Sequence, residues 1–433
     1  MGTKNKTNRG FPMCVGVAAH ECVSDEALVH LKSYKYSSID KSYISRYILK
    51  HYWNGFVELL PLWLAPNLVT LLGFFFILSN VALMVWYVPD MVGPAPGWVY
   101  ISFAVGVWMY STLDNVDGKQ ARRTGTSSPL GELFDHGIDS LNCTLASLLE
   151  AAAMGFGASK TGAFTALVPC LPMFFSTWET YHTHTLYLGY FNGPTEGLII
   201  ATAMMIVSGI YGPDVWKQPI ISVLPSLSHL IEPNTTIRDL WIPIIFGAFC
   251  IAHWPACVYN VYVARRSRGQ NMAPLFLEWT PMAVFTASTV AWLGSSNSFI
   301  LRENHLVLFC LTMSLVFGRM TTKIILAHLT KQPFPYWTVL ITPLAGGALL
   351  ANVPAFLGLR PITHEWELFY LRAYFVFAVI VYGRWAHLVI TSICEYLGIN
   401  CLTIPTAQLK ANEKIANGDA VKAAQNGEVG KHD

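Results

Sequence analysis

Four aspartates lie within 26 residues of this 433-residue sequence, beside apolar stretches. They form two pairs: Asp114 and Asp117 are three residues apart, and Asp135 and Asp139 are four residues apart. Residues at these spacings share one face of an α-helix. Four carboxylates brought together repel one another unless cations lie between them, and oxygen ligands favour hard ions such as Mg²⁺ or Mn²⁺. The pattern predicts a site for two divalent ions of the kind that holds a transferring phosphoryl group.

The residues between the two pairs are suited to a phosphate ligand. Gly118 and Gly131 have no Cβ, so a ligand or a second helix can approach them closely. Arg122 follows Asp114 by eight residues, which puts both on roughly the same helical face. Its guanidinium can bind phosphate oxygens through two hydrogen bonds.

Two helices must position these side chains. Ser128 followed by Pro129 is typical of an N-cap and the first residue of a helix, so Asp135 is predicted in the second turn. A short connection before Ser128 makes this helix antiparallel to the one that contains Asp114. The two aspartate pairs are therefore predicted to face each other.

The composition indicates where these helices lie. Hydrophobic residues make up 53% of the chain and charged residues 12%, whereas soluble globular proteins contain about 25% charged residues. These values exclude a disordered protein, a coiled coil and almost any soluble enzyme. The net charge of +2 gives no indication of nucleic-acid binding. Carboxylates at a membrane edge are costly, and they mark functional sites by default.

We predict an all-α integral membrane protein with about ten transmembrane helices, since a span needs about 20 apolar residues. Lysine and arginine are concentrated at alternate ends of the spans, which places both termini and the aspartates on the cytosolic side. The ten apolar stretches are approximately residues 65–88, 97–113, 140–158, 163–178, 195–211, 240–263, 280–297, 304–325, 334–358 and 368–394.

The chain is predicted to divide into five regions. Residues 65–264 contain the first six spans and the aspartates, and residues 280–394 contain four further spans that offer a surface for a homodimer. Residues 1–40 form a cytosolic N-terminal segment. Residues 41–60 alternate basic and apolar side chains, which indicates an amphipathic helix at the membrane interface or, equally, one packed on the bundle. Residues 406–433 lack aromatic residues and are predicted to be disordered.

Residues 114–139 match the pattern Asp-x-x-Asp-Gly-x-x-Ala-Arg-x₈-Gly-x₃-Asp-x₃-Asp at all eight fixed positions. This pattern resembles the signature of the CDP-alcohol phosphotransferases. The longer stretch, DGKQARRT followed by SSPLGELFDHGIDS, resembles the eukaryotic cholinephosphotransferase and ethanolaminephosphotransferase branch, and the ten-span pattern is similar to the fold of that branch. The resemblance implies that the 3-hydroxyl of 1,2-diacylglycerol attacks the β-phosphorus of CDP-choline or CDP-ethanolamine. CMP then leaves, and phosphatidylcholine or phosphatidylethanolamine is formed.

The resemblance also implies roles for individual residues. The four aspartates match the family's ligands for Mg²⁺, with two ions expected and Mn²⁺ as a substitute. The nucleotide-diphosphate site is matched by Gly118, Ala121, Arg122 and Gly131. Upstream, Pro66-Asn67-Leu68-Val69-Thr70 resembles the family's opening of the first span. Asn67 would then bind the CDP moiety, although on its own it is equally well read as a helix N-cap.

Two residues compete for the role of general base. A metal-bound Asp139 is a poor base, because its lone pairs are engaged by cations. His136 lies on the same helical arc as Asp135 and Asp139, and its imidazole is suited to accept the alcohol proton at neutral pH. We therefore predict His136 as the proton acceptor and keep Asp139 as the alternative. A role for His136 in orienting Asp135 is also open.

A quaternary ammonium head group calls for aromatic rings and a counter-charge. Trp178 and Tyr181 lie three residues apart at the cytosolic end of the fourth span, and Glu196 opens the fifth. The two rings are predicted to stack on the head group, with Glu196 balancing its charge. The alternative is an aromatic belt at the membrane interface.

The main alternative function is an ion-coupled transporter, because carboxylates within spans also mark ion paths. The position of the aspartates at one rim, and the lack of paired broken helices, favour the enzyme. An ethanolamine-specific or dual-specificity enzyme is the nearest alternative within that class. A cytosolic metal site indicates the endoplasmic reticulum or the Golgi membrane.

Overall fold

The protein is described here by a computed structural model that covers residues 23–223, 225–227 and 232–410. The first part of the predicted N-terminal segment (residues 1–22) and most of the predicted disordered tail (residues 411–433) lie outside the described residues. The last described residues, 406–410, are helical.

The described part of the chain is almost entirely helical. Its α-helices are α1 (Asp25–Leu28), α2 (Lys50–Leu59), α3 (Pro66–Tyr87), α4 (Gly97–Thr124), α5 (Pro129–Ala153), α6 (Lys160–Leu167), α7 (Cys170–Thr183), α8 (Leu198–Tyr211), α9 (Ile220–Val223), α10 (Ile237–Ala248), α11 (Trp254–Ser267), α12 (Leu275–Glu278), α13 (Thr280–Gly294), α14 (Leu306–Leu329), α15 (Ile341–Phe356) and α16 (His364–Leu397). Short π-helical turns cover Ser45–Leu49, Gly193–Gly197 and Phe249–His253, and 3₁₀ turns cover Val29–Ser33, Pro213–Lys217 and Pro225–Leu227. Two short parallel strands, β1 (Ser38–Asp40) and β2 (Leu186–Leu188), pair Ile39 with Tyr187.

The prediction of an all-α integral membrane protein is confirmed. Each of the ten predicted apolar stretches overlaps a helix or a pair of consecutive helices. Among the described residues, five helical segments are long and apolar enough to cross a membrane: Pro66–Tyr87, Gly193–Tyr211, Ile237–Ser267, Leu306–Leu329 and His364–Leu397. The count of ten crossings therefore stays a prediction.

Helices α3, α4 and α5 form the framework for the aspartates. Helix α4 ends at Gly125, which adopts the left-handed conformation (φ +64°) that glycine tolerates best. Helix α5 begins after Ser128, whose hydroxyl accepts a hydrogen bond from the Gly131 amide over 3.2 Å. The four-residue connection makes α4 and α5 antiparallel, as the sequence predicted.

Close packing of α3 on α4 depends on Gly106. A Cβ at this position would lie 1.8 Å from the side-chain nitrogen of Asn80, so any larger residue would force the two helices apart. Asn80 is itself held against α4, because its amide donates to the Ser102 carbonyl (2.9 Å) and accepts from the Ser102 hydroxyl (2.8 Å). This polar clamp fixes the relative position of the two helices inside an otherwise apolar interface.

The helices of residues 280–394 pack against the helices that contain the aspartates and do not form a separate layer. Helix α14 is largely buried and packs on α5, where the Ser314 hydroxyl donates to the Leu141 carbonyl over 2.6 Å. Buried side chains from both predicted groups of spans belong to one hydrophobic core, which includes Phe103, Leu145, Phe309 and Phe317. Residues 280–394 therefore contribute to the wall behind the predicted catalytic helices.

The segment predicted as an interfacial helix packs along α4. Residues 45–59 are helical, and a buried stripe with four-residue spacing (Ser45, Leu49, Trp53 and Val57) faces the bundle. The opposite face exposes Tyr43, Tyr47 and Ile48, each by more than half of its surface. The segment is thus packed on the bundle along one face, while its other face is exposed, as an interfacial helix requires.

Candidate active site

The four aspartates lie at matching depths on α4 and α5. Asp114 is ten residues before the end of α4 and Asp139 ten residues after the start of α5, which places both about 15 Å from the connection at 1.5 Å per residue. Asp117 and Asp135 lie about 10 Å from it by the same count. The antiparallel packing therefore brings together side chains that are far apart in the sequence.

Three of the carboxylates converge on one point. Ligand oxygens of Asp114, Asp135 and Asp139 all lie within 4.8 Å of one another, a separation at which one cation can contact all three. One carboxylate oxygen of Asp114 and one of Asp135 are buried, and among the described residues neither has a hydrogen-bond partner. Buried polar atoms are normally paired, so two unpaired oxygens in one cluster indicate a ligand. The residues present fit a hard divalent cation.

Hydrogen bonds from the surrounding helices orient the other carboxylate oxygens. The Thr70 hydroxyl of α3 donates to Asp117, and the Tyr110 hydroxyl of α4 donates to Asp139. Tyr110 is also part of the hydrophobic core, so its ring is fixed by packing. Thr70 belongs to the motif that opens the first span, but the sequence predicted no role for it. Tyr110 was not predicted as a site residue. The available signal for Tyr110 was its position four residues before Asp114, on the same helical face.

Space for a ligand is present at the two motif glycines. A Cβ at Gly118 would lie 3.7 Å from the nearest protein atom, the Arg122 guanidinium, and a Cβ at Gly131 would lie 3.8 Å from the Asn67 side-chain oxygen. These are ordinary contact distances, so packing within the protein does not require glycine at either position. The room beside both residues is available to a bound molecule.

Of the basic residues near the end of α4, two are engaged by the protein. The Lys119 amine donates to Asn54 over 2.8 Å. The Arg123 guanidinium donates to the carbonyls of Val57 (2.9 Å) and Leu60 (2.6 Å), and so caps the C-terminus of α2.

Arg122 differs from these neighbours. It is exposed, and within the described ranges no hydrogen bond or ion pair of its side chain is found. Its side chain is therefore free of protein partners in this part of the chain, and its binding to phosphate stays a prediction. Ala121 precedes it on α4 and is partly buried.

His136 lies between two of the converging carboxylates on α5, and its side chain is partly buried. Its backbone carbonyl accepts a hydrogen bond from the Ser140 hydroxyl over 2.7 Å. In the described part of the chain, the His136 ring has no hydrogen-bond partner. The ring is thus not tied to a structural role, and the choice between His136 and Asp139 as the base stays a prediction.

Asn67 is the second residue of α3 and is 8% exposed. Its side-chain amide donates to the Cys401 carbonyl over 3.0 Å, which was not foreseen from the sequence. It does not act as an N-cap, because Ala65 occupies that position and Asn67 lies within the first turn. Its contact with CDP stays a prediction.

Trp178 and Tyr181 lie on α7, and Tyr181 is only partly buried. Trp178 is fully buried, and its indole nitrogen donates to Glu278 over 2.7 Å. The Tyr181 hydroxyl donates to the Gln332 carbonyl over 2.9 Å. Both polar groups are thus satisfied within the protein. A head group could reach the Trp178 ring only if the surrounding side chains moved, so this geometry gives the predicted contact no support.

Glu196 is also engaged by the protein. It is 5% exposed, it accepts a hydrogen bond from the Asn192 amide over 2.9 Å, and it accepts another from the Ser42 hydroxyl. These bonds attach the segment before α2 to the turn before α8. Its predicted role as a counter-charge for the head group likewise stays untested.

The charges of the aspartates also affect the pKa of Tyr36, a residue that was not singled out from the sequence. It lies immediately before β1, and the neighbouring Ser37 carbonyl accepts a hydrogen bond from the Leu186 amide over 3.0 Å, which anchors this segment. Burial raises the pKa of the Tyr36 hydroxyl, and the nearby charges of Asp135 and Asp114 raise it further. Tyr36 as a whole remains 53% exposed.

Comparison with known proteins places this geometry in a family. The family model for CDP-alcohol phosphatidyltransferases matches residues 63–216, which include α3, α4 and α5. A choline/ethanolaminephosphotransferase of Arabidopsis thaliana is 36% identical over 388 residues, which cover 86% of this chain and 96% of that protein. A cholinephosphotransferase of Saccharomyces cerevisiae is 34% identical over 72% of this chain and 80% of its own length. A human ethanolaminephosphotransferase is 32% identical over 85% of this chain and 91% of its own length.

These similarities extend well beyond the matched domain, over most of the described helices. They agree with the resemblance that the aspartate motif indicated, and three of the four motif aspartates converge in the structure. The chain therefore belongs to the CDP-alcohol phosphatidyltransferase family and is an integral membrane phosphotransferase.

Proposed function

We propose that this protein transfers phosphocholine or phosphoethanolamine from CDP-choline or CDP-ethanolamine to the 3-hydroxyl of 1,2-diacylglycerol. The products are CMP and phosphatidylcholine or phosphatidylethanolamine. The observation that supports the proposal most strongly is the convergence of Asp114, Asp135 and Asp139, with two buried oxygens that have no partner in the described part of the chain. The names of the relatives supply the substrate class.

The four aspartates would hold Mg²⁺, with two ions expected and Mn²⁺ as a substitute. Bound metal would neutralise the diphosphate and lower the barrier to phosphoryl transfer. The protein's own groups set the geometry around it: Thr70 orients Asp117, and Tyr110 orients Asp139. Arg122 binds the diphosphate through its exposed guanidinium, beside the open space at Gly118. Ala121 and Gly131 complete the nucleotide side of the site.

The diacylglycerol hydroxyl must lose its proton as the new bond forms. We assign this proton to the imidazole of His136, whose ring is free of other hydrogen bonds within the described residues. Asp139 is the alternative acceptor. The aspartates lie two to three turns from the connection between α4 and α5. We propose that the soluble nucleotide and the membrane lipid both reach them from that end of the bundle.

The relatives differ in the head group for which they are named. Relatives named for choline, for ethanolamine and for both have similar identities to this chain, from 32% to 36%. We propose choline as the preferred head group, with ethanolamine specificity or dual specificity as the alternative. Trp178, Tyr181 and Glu196 remain candidate contacts only if the site rearranges on binding.

The distribution of lysine and arginine supports an active site on the cytosolic face of the endoplasmic reticulum or Golgi membrane. A homodimer through residues 280–394 is a further proposal. Its surface would come from α15 and α16, whose exposed apolar residues include Leu349, Phe356, Phe369 and Ile380.

The direct test uses purified protein in lipid nanodiscs with diacylglycerol. CMP release should require Mg²⁺ and should equal phospholipid formation. Adding CDP-ethanolamine to a reaction with labelled CDP-choline then measures the preference between head groups. Absence of CMP release with either substrate would refute the proposed function. An Asp135→Asn variant that retained the wild-type rate would refute the assigned site.

A further inference from the structure

The chain returns to the active-site end of the bundle after its last long helix. Helix α16 ends at Gly398, which turns the chain through a left-handed conformation (φ +67°). Residues 399–410 follow, and Ile404 within them is 7% exposed. We call residues 399–408 the C-terminal strap. A buried apolar anchor in its middle shows that the strap is docked on the bundle.

The strap contacts both helices that open onto the aspartates. Near its start, the Cys401 carbonyl accepts the hydrogen bond from the Asn67 amide on α3 (3.0 Å). At its end, the Gln408 side-chain nitrogen donates to the carbonyls of Thr124 and Gly125, each over 3.2 Å. These two carbonyls terminate α4, where helix carbonyls lack partners within the helix. The strap thereby connects the first turn of α3 to the last turn of α4.

The first of these bonds fixes the orientation of Asn67. Because the Cys401 carbonyl can only accept, the NH₂ end of the Asn67 amide must face the strap. The carbonyl end then faces Gly131, where a Cβ would lie 3.8 Å from it. This leaves an amide oxygen beside open space at the start of α5, oriented to accept a hydrogen bond from a ligand.

We propose that the C-terminal strap forms the outer wall of the nucleotide-binding side of this site and positions Asn67 for the cytidine diphosphate moiety. This inference rests on the proposed function. It assigns the strap to the nucleotide rather than to diacylglycerol because the hydrogen bonds of the strap lie at the ends of α3 and α4. A diacylglycerol would instead approach between the apolar faces of the spans. Gln408 is a positioning residue, since it acts through the strap and Asn67.

The main test replaces the Gln408 side chain, in one variant by a group that only accepts hydrogen bonds and in another by a group that only donates them. Gln408→Glu is nearly isosteric, but its carboxylate cannot donate and repels the two carbonyls at the end of α4. Gln408→Lys keeps a donor, and a cation is favourable at a helix C-terminus. Thr406→Ala is the matched control, because Thr406 is exposed on the same segment and none of the hydrogen bonds described above involves its side chain.

The expected result is selective for the nucleotide. Gln408→Glu should raise the KM for CDP-choline about five- to tenfold, the loss of roughly one net hydrogen bond. The KM for diacylglycerol and kcat should stay within about twofold. Gln408→Lys should restore most of the affinity, and Thr406→Ala should match the wild type. An unchanged or lower KM for CDP-choline in Gln408→Glu, or equal changes for both substrates, would overturn the inference.

A second measurement uses the wild-type protein, so it does not depend on any variant folding. The Cys401 thiol is partly exposed and lies 3.7 Å from the Asn67 amide nitrogen. Saturating CDP-choline with Mg²⁺, in the absence of diacylglycerol, should slow maleimide labelling of Cys401 about tenfold, as quantified by peptide mass spectrometry. Labelling with Mg²⁺ and free choline in place of CDP-choline is the control. If CDP-choline does not change the rate at which Cys401 is labelled, the strap lies outside the nucleotide site.

The two proposals fail in different ways. A wild-type protein that releases no CMP from either CDP-alcohol refutes the proposed function and the strap inference together. An active wild-type protein with an unaffected Gln408→Glu variant refutes only the strap inference.

Discussion

Replacing Asp114 by asparagine tests the metal site through stability as well as activity. The change removes one charge from the three-carboxylate cluster but keeps the size of the side chain. Two unit charges 4.8 Å apart, the largest separation within the cluster, repel by about 3.5 kcal/mol at an effective dielectric constant of about 20. Asp114 takes part in two such pairs. In EDTA, the variant should therefore unfold at the same temperature as the wild type or at a higher one.

Magnesium should reverse this order. A ligand at 100 times its dissociation constant stabilises the folded state by about 2.7 kcal/mol. The wild type should gain this stabilisation, whereas Asp114→Asn has lost a charged ligand and should gain much less. Its rate of CMP release should fall about 10³-fold, which is typical for loss of a group that stabilises transition-state charge.

Thermal unfolding in detergent, recorded in EDTA and along a Mg²⁺ titration, measures both effects. Asp214→Asn is the matched control, because Asp214 is an exposed aspartate outside the cluster that pairs with Lys217. If Asp114→Asn is less stable than the wild type in EDTA and is stabilised equally by Mg²⁺, then Asp114 supports the fold and does not bind metal.

Four further outcomes follow from the geometry. Arg122→Lys should raise the KM for CDP-choline and leave that for diacylglycerol similar, since lysine keeps the charge but loses the two-point geometry; equal effects on both would indicate a structural role. His136→Ala should slow turnover about 10²- to 10⁴-fold with CDP-choline binding retained, and a wild-type rate would make Asp139 the base. Tyr110→Phe removes the hydrogen bond to Asp139 and should lower kcat about tenfold or more; its circular dichroism spectrum should match the wild type. Gly106→Ala should lower the free energy of unfolding by about 1–3 kcal/mol, because its Cβ would overlap the Asn80 amide; an unchanged unfolding midpoint would contradict the described packing of α3 on α4.

The aspartate cluster was predictable because its information is local. Helical spacing places Asp114 with Asp117 and Asp135 with Asp139, and the Ser128-Pro129 start fixes where α5 begins. A short connection then leaves one antiparallel arrangement. The apolar stretches likewise predicted helices, since a polar backbone in a membrane must form its hydrogen bonds internally.

The contacts that complete the site were not predictable in this way. The Cys401 carbonyl meets Asn67 across 334 positions of sequence, and Gln408 meets Gly125 across 283. Such contacts depend on where α16 ends relative to α3 and α4, which hydrophobic periodicity does not specify. The burial of Trp178 was missed for a related reason, because its partner Glu278 lies 100 residues away. An aromatic residue near a span end has the same local pattern whether it faces a ligand or another helix.

The position of a phosphorus label tests the central claim most directly. CDP-choline labelled at the β-phosphorus is incubated with purified protein, Mg²⁺ and diacylglycerol, beside an Asp135→Asn variant. We predict that the label enters the phospholipid, that the released CMP is unlabelled, and that the variant transfers about 10³-fold less. Label released as free phosphocholine, or equal transfer by Asp135→Asn, would contradict phosphoryl transfer at this aspartate site.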